Sequence, residues 1–189
     1  MAAVSNLRNM VLCLFGVCLV CSAILGATYV VTEEPIAQAS ARALSDALGE
    51  VLPQDCTPCT TAEPIVLDGT SYECYTARDA GGNVAAYAVK TVSGGFGGPI
   101  ELLVGVYPDG RVCGTKVLSH SETPGLGAKC ATDEGFINQF KGFEGRFAVR
   151  KDGGDIDAIT ASTITSKAYV KGVEAAVKAV KSLGGQGNE

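Results

Sequence analysis

The sequence has one histidine, no tryptophan and no surplus of basic residues: 15 Lys and Arg stand against 20 Asp and Glu. A single histidine excludes a multi-histidine metal site within one chain, so any zinc site would have to rest on cysteine. A formal net charge of −5 argues against nucleic-acid binding, because nothing here would release counterions from a phosphate backbone. No acidic side chain occurs before Glu33, and residues 10–31 carry no charge of either sign. No internal repeat is visible, and no acid–base pair marks a hydrolytic or proton-transfer centre.

The uncharged run reads MVLCLFGVCLVCSAILGATYVV. At 1.5 Å per residue it makes about 33 Å of helix, enough to cross a bilayer core. Arg8 precedes it, Glu33 and Glu34 follow it, and the next basic residue is Arg42. That bias places residues 1–9 in the cytoplasm and residues 32–189 outside the cytoplasmic membrane. A cleaved signal peptide would need a small-residue site near Ala23 or Ala27. Leu25 fits poorly two positions before Ala27, and the apolar run continues past both sites. A lipoprotein would need a small residue where Val17 and Val20 precede Cys18 and Cys21. The run is therefore expected to be an uncleaved anchor. It contains no carboxylate, so it carries no ion-binding acid of its own. The outer part carries 14 basic and 20 acidic side chains, so charge does not draw it to an anionic lipid surface.

Three of the eight cysteines, Cys13, Cys18 and Cys21, lie within the apolar run, where they serve as small hydrophobes. Cys18 and Cys21 share a helix face, but as metal ligands they would need partners from another chain. Five more lie outside: Cys56, Cys59, Cys74, Cys113 and Cys130. In an oxidising compartment, structural disulfides are the default for these, with one thiol left over. Cys56-Thr-Pro-Cys59 is also the spacing of a redox dithiol, although no strand is evident before it. No histidine follows Cys59, which excludes covalent haem attachment. No second pair of this kind exists to complete a Cys₄ site.

Residues 33–52 repeat apolar side chains at helical spacing (Ile36, Ala39, Ala43, Leu44, Ala47, Leu48), with Pro35 suited to a first helical position and Pro53 ending the run. Residues 53–71 read as loop. Strands are expected over residues 72–77, 84–92, 100–107 and 111–118, the last two flanking the turn Pro108-Asp-Gly110. A short helix is expected over 136–143, short strands over 146–151 and 156–159, and a final amphipathic helix over 166–183, with Val170, Val173, Val177 and Val180 as its stripe. Hairpin-joined strands with helices at the ends give an α+β domain with a mainly antiparallel sheet, behind a single N-terminal transmembrane helix. The expected divisions are 1–9, 10–31, 32–71 and 72–189.

Three segments call for more than a structural explanation. Gly94-Gly-Phe-Gly-Gly-Pro-Ile100 places four glycines around one aromatic, which lets backbone approach a ligand closely. His120-Ser-Glu-Thr-Pro-Gly-Leu-Gly127 follows the hairpin and combines a turn with polar groups and Leu126. Residues 160–166 hold five hydroxyls (Thr160, Ser162, Thr163, Thr165, Ser166) immediately before the final helix. A cap needs one or two of them, and helix N-termini favour phosphate.

Taken together, the three segments resemble the FMN-binding domain of the RnfG family, which belongs to the Rnf electron-transport complexes, and that of its relative, the C subunit of the sodium-pumping NADH:quinone reductase. The family's acceptor pattern is Asp, two residues, Ser or Thr, Gly, Ala, Thr. Here it reads Asp157-Ala-Ile-Thr160-Ala161-Ser162-Thr163, with Ala-Ser in place of Gly-Ala. The family's Glu-Thr-Pro-Gly-Leu-Gly signature is matched in full by residues 122–127. The shortness of the chain favours RnfG over the sodium-pump relative. The resemblance implies a covalent FMN, attached through its phosphate to Thr163 by a flavin transferase, with Ser162 and Thr165 as lesser alternatives. It implies a site formed by Thr160, Ala161, Ser162, Thr163, Ile164 and Thr165 at the phosphate, with Glu122, Thr123, Gly125, Leu126, Gly127 and Phe96 about the ring. Thr123 would hydrogen-bond the ring edge and Leu126 would pack on its face. It further implies an electron carrier within a ferredoxin:NAD oxidoreductase, with membrane, iron–sulfur and flavin subunits as partners. The reading from a different class is an anchored thiol–disulfide protein using Cys56 and Cys59; a third is a purely structural anchor.

Overall fold

A computed structural model describes residues 2–59, 61–67 and 69–185. The chain divides after Ala43 into two units. Helix α1 spans Ala2–Val51. It passes through Pro35 instead of restarting there. Within the first unit its apolar side chains, among them Leu12, Phe15, Leu19 and Ile24, are exposed, as a lipid-facing helix requires. Thr28 Oγ1 and Thr32 Oγ1 donate to the carbonyls of Ile24 and Thr28 at 2.8 and 2.7 Å, so these hydroxyls are satisfied within the helix.

The second unit is built on a six-stranded antiparallel sheet. Its strands are β1 (Thr57–Pro58), β2 (Glu63–Leu67), β3 (Thr70–Arg78), β4 (Val84–Gly94), β5 (Pro99–Val106) and β6 (Val112–His120). β3 to β6 pair in sequence order, while β1 and β2 share the free side of β3, at Arg78–Ala77 and Thr70–Cys74 respectively. Both short strands fall in the segment expected to be loop. β1 is two residues long and β2 starts Glu-Pro, so neither offers the alternation that marks a strand.

Alternation along β3 to β6 gives the sheet two buried faces. One is covered by α3 (Thr163–Gly185), whose Val170, Val173, Val177 and Val180 pack on Val89, Ile100, Leu102, Val104 and Val106. The other is covered by Ala47, Leu48 and Val51 from the end of α1, over Tyr75, Ala77, Ala86, Ala88 and Leu103. Gly105 on β5 and Gly114 on β6 let the backbone of Val51 lie close.

Between β6 and α3 the chain is irregular. The expected helix over 136–143 is a single turn, α2 (Glu134–Ile137), extended by a 3₁₀ turn, Asn138–Phe140. The Asp133 carboxylate caps α2, accepting from Gly135 N and Phe136 N at 3.0 and 3.3 Å. Phe136 meets Phe140 and Tyr169 edge-on, and Phe140 and Tyr169 are tilted to one another, with ring centroids 5.0 to 5.4 Å apart. The strands expected over 146–151 and 156–159 reduce to one parallel bridge, Val149 to Ile156, around a 3₁₀ turn at Arg150–Asp152. Gly153 and Gly154 turn the chain too sharply for a ladder to grow. All eight cysteines are free thiols.

Candidate functional site

α3 begins at Thr163, three residues before the start expected from hydrophobic spacing. Its first turn is Thr-Ile-Thr-Ser, which has no apolar stripe and so hides from a periodicity search. The early start puts the acceptor-loop hydroxyls on the helix terminus itself. Ser166 Oγ accepts from Ile159 N and donates to Ser162 O, both at 2.9 Å. Ser162 N donates to Ile159 O at 3.0 Å, closing the turn that precedes the helix. Within that turn Ala161 has φ +62°. This is the left-handed region, disfavoured for any residue with a Cβ. It is also the position at which the acceptor pattern carries glycine, so the backbone conformation explains the pattern.

The three singled-out segments meet at one carboxylate. Glu122, 6% exposed, accepts from Gly97 N at 3.0 Å through Oε1 and from Thr165 Oγ1 at 2.7 Å through Oε2. Its own N–H donates to His120 Nδ1 at 3.2 Å. Two glycines are required around it. A Cβ at Gly95 would overlap Glu122 Oε1 and come within 2.8 Å of Ile100 Cδ1. A Cβ at Gly127 would overlap Glu122 Oε2 and lie 2.8 Å from Thr165 Oγ1.

Around this junction is a cleft of about 410 Å³, lined by Phe96, Glu122, Thr123, Leu126, Gly127, Ala161, Ser162, Thr163, Ile164 and Thr165. That volume is in the range of a small-molecule or cofactor site. Its rim is apolar and open: Phe96 is 72%, Ile164 55% and Leu126 46% exposed. Exposed apolar side chains of this size around a concavity suit a planar ring, and the adjacent helix start suits an anionic group. Gly125 and Thr160 do not line the cleft. Gly125, at φ +78°, shapes the turn behind it. Thr160 faces a separate shallow hollow with Asp133, Gln139 and Asp157.

The five hydroxyls are not equivalent. Thr165 and Ser166 are buried and hydrogen-bonded, and Ser162 is buried. Thr163 is half-buried in the cleft and makes no side-chain hydrogen bond among the described residues. Sequence reading did not anticipate Ser166 as the staple of the loop or the Gly97 N–H as a ligand of Glu122. The surplus of hydroxyls and the glycine-rich loop were the only signals of each.

The cysteines form no comparable centre. Cys56 and Cys59 flank β1, and Cys59 N donates to Thr76 O at 2.9 Å. Among the described residues no helix starts at the motif, so one feature that activates a redox dithiol is missing there. Burial pushes the Cys74 and Cys113 thiols up to about 12 and Cys130 to about 11, away from the reactive thiolate form. Among the described residues no group of three or more His, Cys, Asp or Glu is placed to hold a metal.

Known proteins resemble this chain along most of its length. Residues 95–178 match the FMN-binding domain model, and residues 1–51 match the model of the RnfG N-terminal region. The chain is 38% identical to the G subunit of the proton-translocating ferredoxin:NAD(+) oxidoreductase complex of Clostridium ljungdahlii, over 89% of this chain and 88% of that one. It is 35% identical to the G subunit of the ion-translocating oxidoreductase complex of Methanosarcina acetivorans, over 88% and 90%. The crystal structure of Shewanella oneidensis NqrC matches with a TM-score of 0.50 at 21% identity, covering 70% of this chain and 71% of that one, which is a likeness of fold. With both of its family models matched, and relatives aligned along most of their length, the chain belongs to the RnfG family and carries that family's FMN-binding domain.

Proposed function

We propose that this chain is the membrane-anchored flavoprotein subunit of an ion-translocating ferredoxin:NAD oxidoreductase, and that it relays electrons through an FMN esterified to Thr163. The observation that carries the attachment site is the position of Thr163: first residue of α3, half-exposed in the cleft, with its hydroxyl uncommitted.

The residues present fit FMN. The N–H groups of Thr163, Ile164 and Thr165 at the start of α3 and the helix dipole favour a phosphate there. Phe96, Leu126 and Ile164 supply apolar surface for the ring, and Thr123 supplies a polar group at its edge. Glu122 holds the surrounding loops without itself being exposed. The flavin, when bound, supplies the electron transfer, while this chain positions it and sets its surroundings. A covalent link removes dissociation, which suits a carrier held outside a membrane. The charge bias around α1 supports an N-terminus inside and residues 32–189 outside. The partners are then the other membrane, iron–sulfur and flavin subunits of the complex, with a flavin transferase acting in maturation.

The test is coexpression of the full chain with a flavin transferase, followed by a denaturing gel viewed under ultraviolet light, beside a Thr163→Ala variant. A fluorescent band lost in the variant is the expected result. A band that persists moves the linkage to Ser162 or Thr165. No band in either lane overturns covalent attachment.

A further inference from the structure

We propose that Glu122 is a positioning residue that selects the acceptor hydroxyl: it holds Thr165 Oγ1 away from reaction and fixes the loop that presents Thr163. The proposal rests on the assignment of Thr163 as the flavin acceptor.

Thr163 and Thr165 are chemically alike and line the same cleft. What separates them is burial and one hydrogen bond. Thr165 Oγ1 gives its only proton to Glu122 Oε2 at 2.7 Å and is 1% exposed. A hydroxyl bound to a carboxylate makes a strong, charge-assisted bond. For Thr165 to act as a nucleophile it would have to leave that bond, and the buried carboxylate oxygen would lose its partner. Thr163 carries no such cost.

The same carboxylate reaches the glycine-rich loop through Gly97 N, next to Phe96 at the mouth of the cleft. The absence of a Cβ at Gly95 and Gly127 leaves room for it. One side chain thus sets both the wall of the cleft and the first turn of α3.

The reaction controlled here is phosphoryl transfer. Thr163 Oγ1 attacks the flavin-side phosphorus of a flavin dinucleotide donor. An O–P bond forms, the P–O bond to the leaving nucleoside monophosphate breaks, and the hydroxyl proton passes to a base of the transferase. No electrons are exchanged in this step.

The experiment compares the parent chain with Glu122→Ala, Glu122→Gln and Thr165→Val, each coexpressed with a flavin transferase. Flavin is located by peptide mass spectrometry, and folding is checked by circular dichroism. The parent is expected to carry flavin on Thr163 alone. In Glu122→Ala, label on Thr163 falls by about tenfold, as expected for loss of a charged hydrogen bond, and part of it moves to Thr165. Glu122→Gln recovers labelling to within about threefold of the parent, because the amide keeps an oxygen for Gly97 N–H and a group that can pair with Thr165. A folded Glu122→Ala variant labelled on Thr163 alone at the parental yield overturns the proposal. If that variant does not fold, Thr165→Val decides: a several-fold fall at Thr163 supports the proposal and a parental yield overturns it. An unlabelled parent overturns the acceptor assignment, and the proposal with it.

Discussion

Glu122 Oε2 accepts a 2.7 Å hydrogen bond from Thr165 Oγ1, a residue 43 positions further along the chain. The bond joins the loop after β6 to the first turn of α3, and space for it depends on Gly127. Substituting Gly127→Ala drives a methyl into both partners. Such overpacking costs about 1–3 kcal/mol. A lowered melting temperature for the full chain in detergent, with retained secondary structure, is the expected outcome; an unchanged melting temperature would contradict the packing described.

Ala161 sits at φ +62° in the acceptor turn. Replacing it with glycine removes a Cβ from the left-handed region, a relief of about 1 kcal/mol. Ala161→Gly is expected to raise the melting temperature by roughly 2–4 °C. Ala161→Val is expected to lower it. A destabilising effect of glycine would show that the turn is not strained.

Phe96 is 72% exposed at the cleft mouth, so its truncation removes little packing in the protein alone. Phe96→Ala should leave the melting temperature of the flavin-free chain within about 2 °C of the parent, as surface changes do. In the flavin-loaded chain the same change should expose the ring, seen as stronger quenching of flavin fluorescence by iodide. Equal quenching in both would remove Phe96 from the site.

Tyr169 is fully buried, and its hydroxyl donates to Thr115 Oγ1 at 2.7 Å across the core. Burial raises the phenol well above its ordinary range. Tyr169→Phe leaves the ring packing with Phe136 and Phe140 intact and removes only the hydrogen bond, a loss of about 1–2 kcal/mol. Denaturant unfolding of parent and variant measures it directly; no change in midpoint would mean that Thr115 finds another partner.

Burial, with Glu63 adding to it, pushes Cys74 from 9.0 to about 12; burial and then Glu122 push Cys130 to about 11. Unfolded, both thiols ionise near their ordinary value. Their burial therefore contributes fully below pH 9.0 and is lost as the pH rises towards the folded values. Melting temperature is expected to fall across that alkaline window. A Cys74→Ala, Cys130→Ala variant, less stable at neutral pH through lost packing, should show a shallower alkaline fall. An equally steep fall would assign the loss to other groups.

The regular parts of the fold were legible because they repeat. β3 to β6 alternate, the Pro108-Asp-Gly110 turn separates two apolar runs, and Val170 to Val180 mark one face of α3. β1 and β2 escaped because each is held by β3 and not by its own pattern. The final helix began earlier than expected because Thr163, Ile164 and Thr165 lack an apolar stripe, and caps are read from hydrogen bonds such as Ser166 to Ile159. The candidate cleft was legible as motifs, since Phe96, the Glu122 loop and the Thr163 loop all line it. Its centre was not. That Glu122 is a buried junction depends on the register of β5 and β6, which brings Gly97 to it, and on the docking of α3, which brings Thr165. Gly125 carries the signature and shapes a turn, and Thr160 faces a separate hollow.

The junction at Glu122 also bears on when the site comes into being. Its three strands of chain are separated by 25 and 43 residues, so closing it requires long loops to be ordered first. β4, β5 and β6 must already be paired, and α3 must have docked across them, before the acceptor turn takes its shape. Until those elements assemble, no cleft surrounds the threonines. Maturation that depends on the assembled turn would act as a checkpoint, loading flavin onto finished domains and passing over the rest.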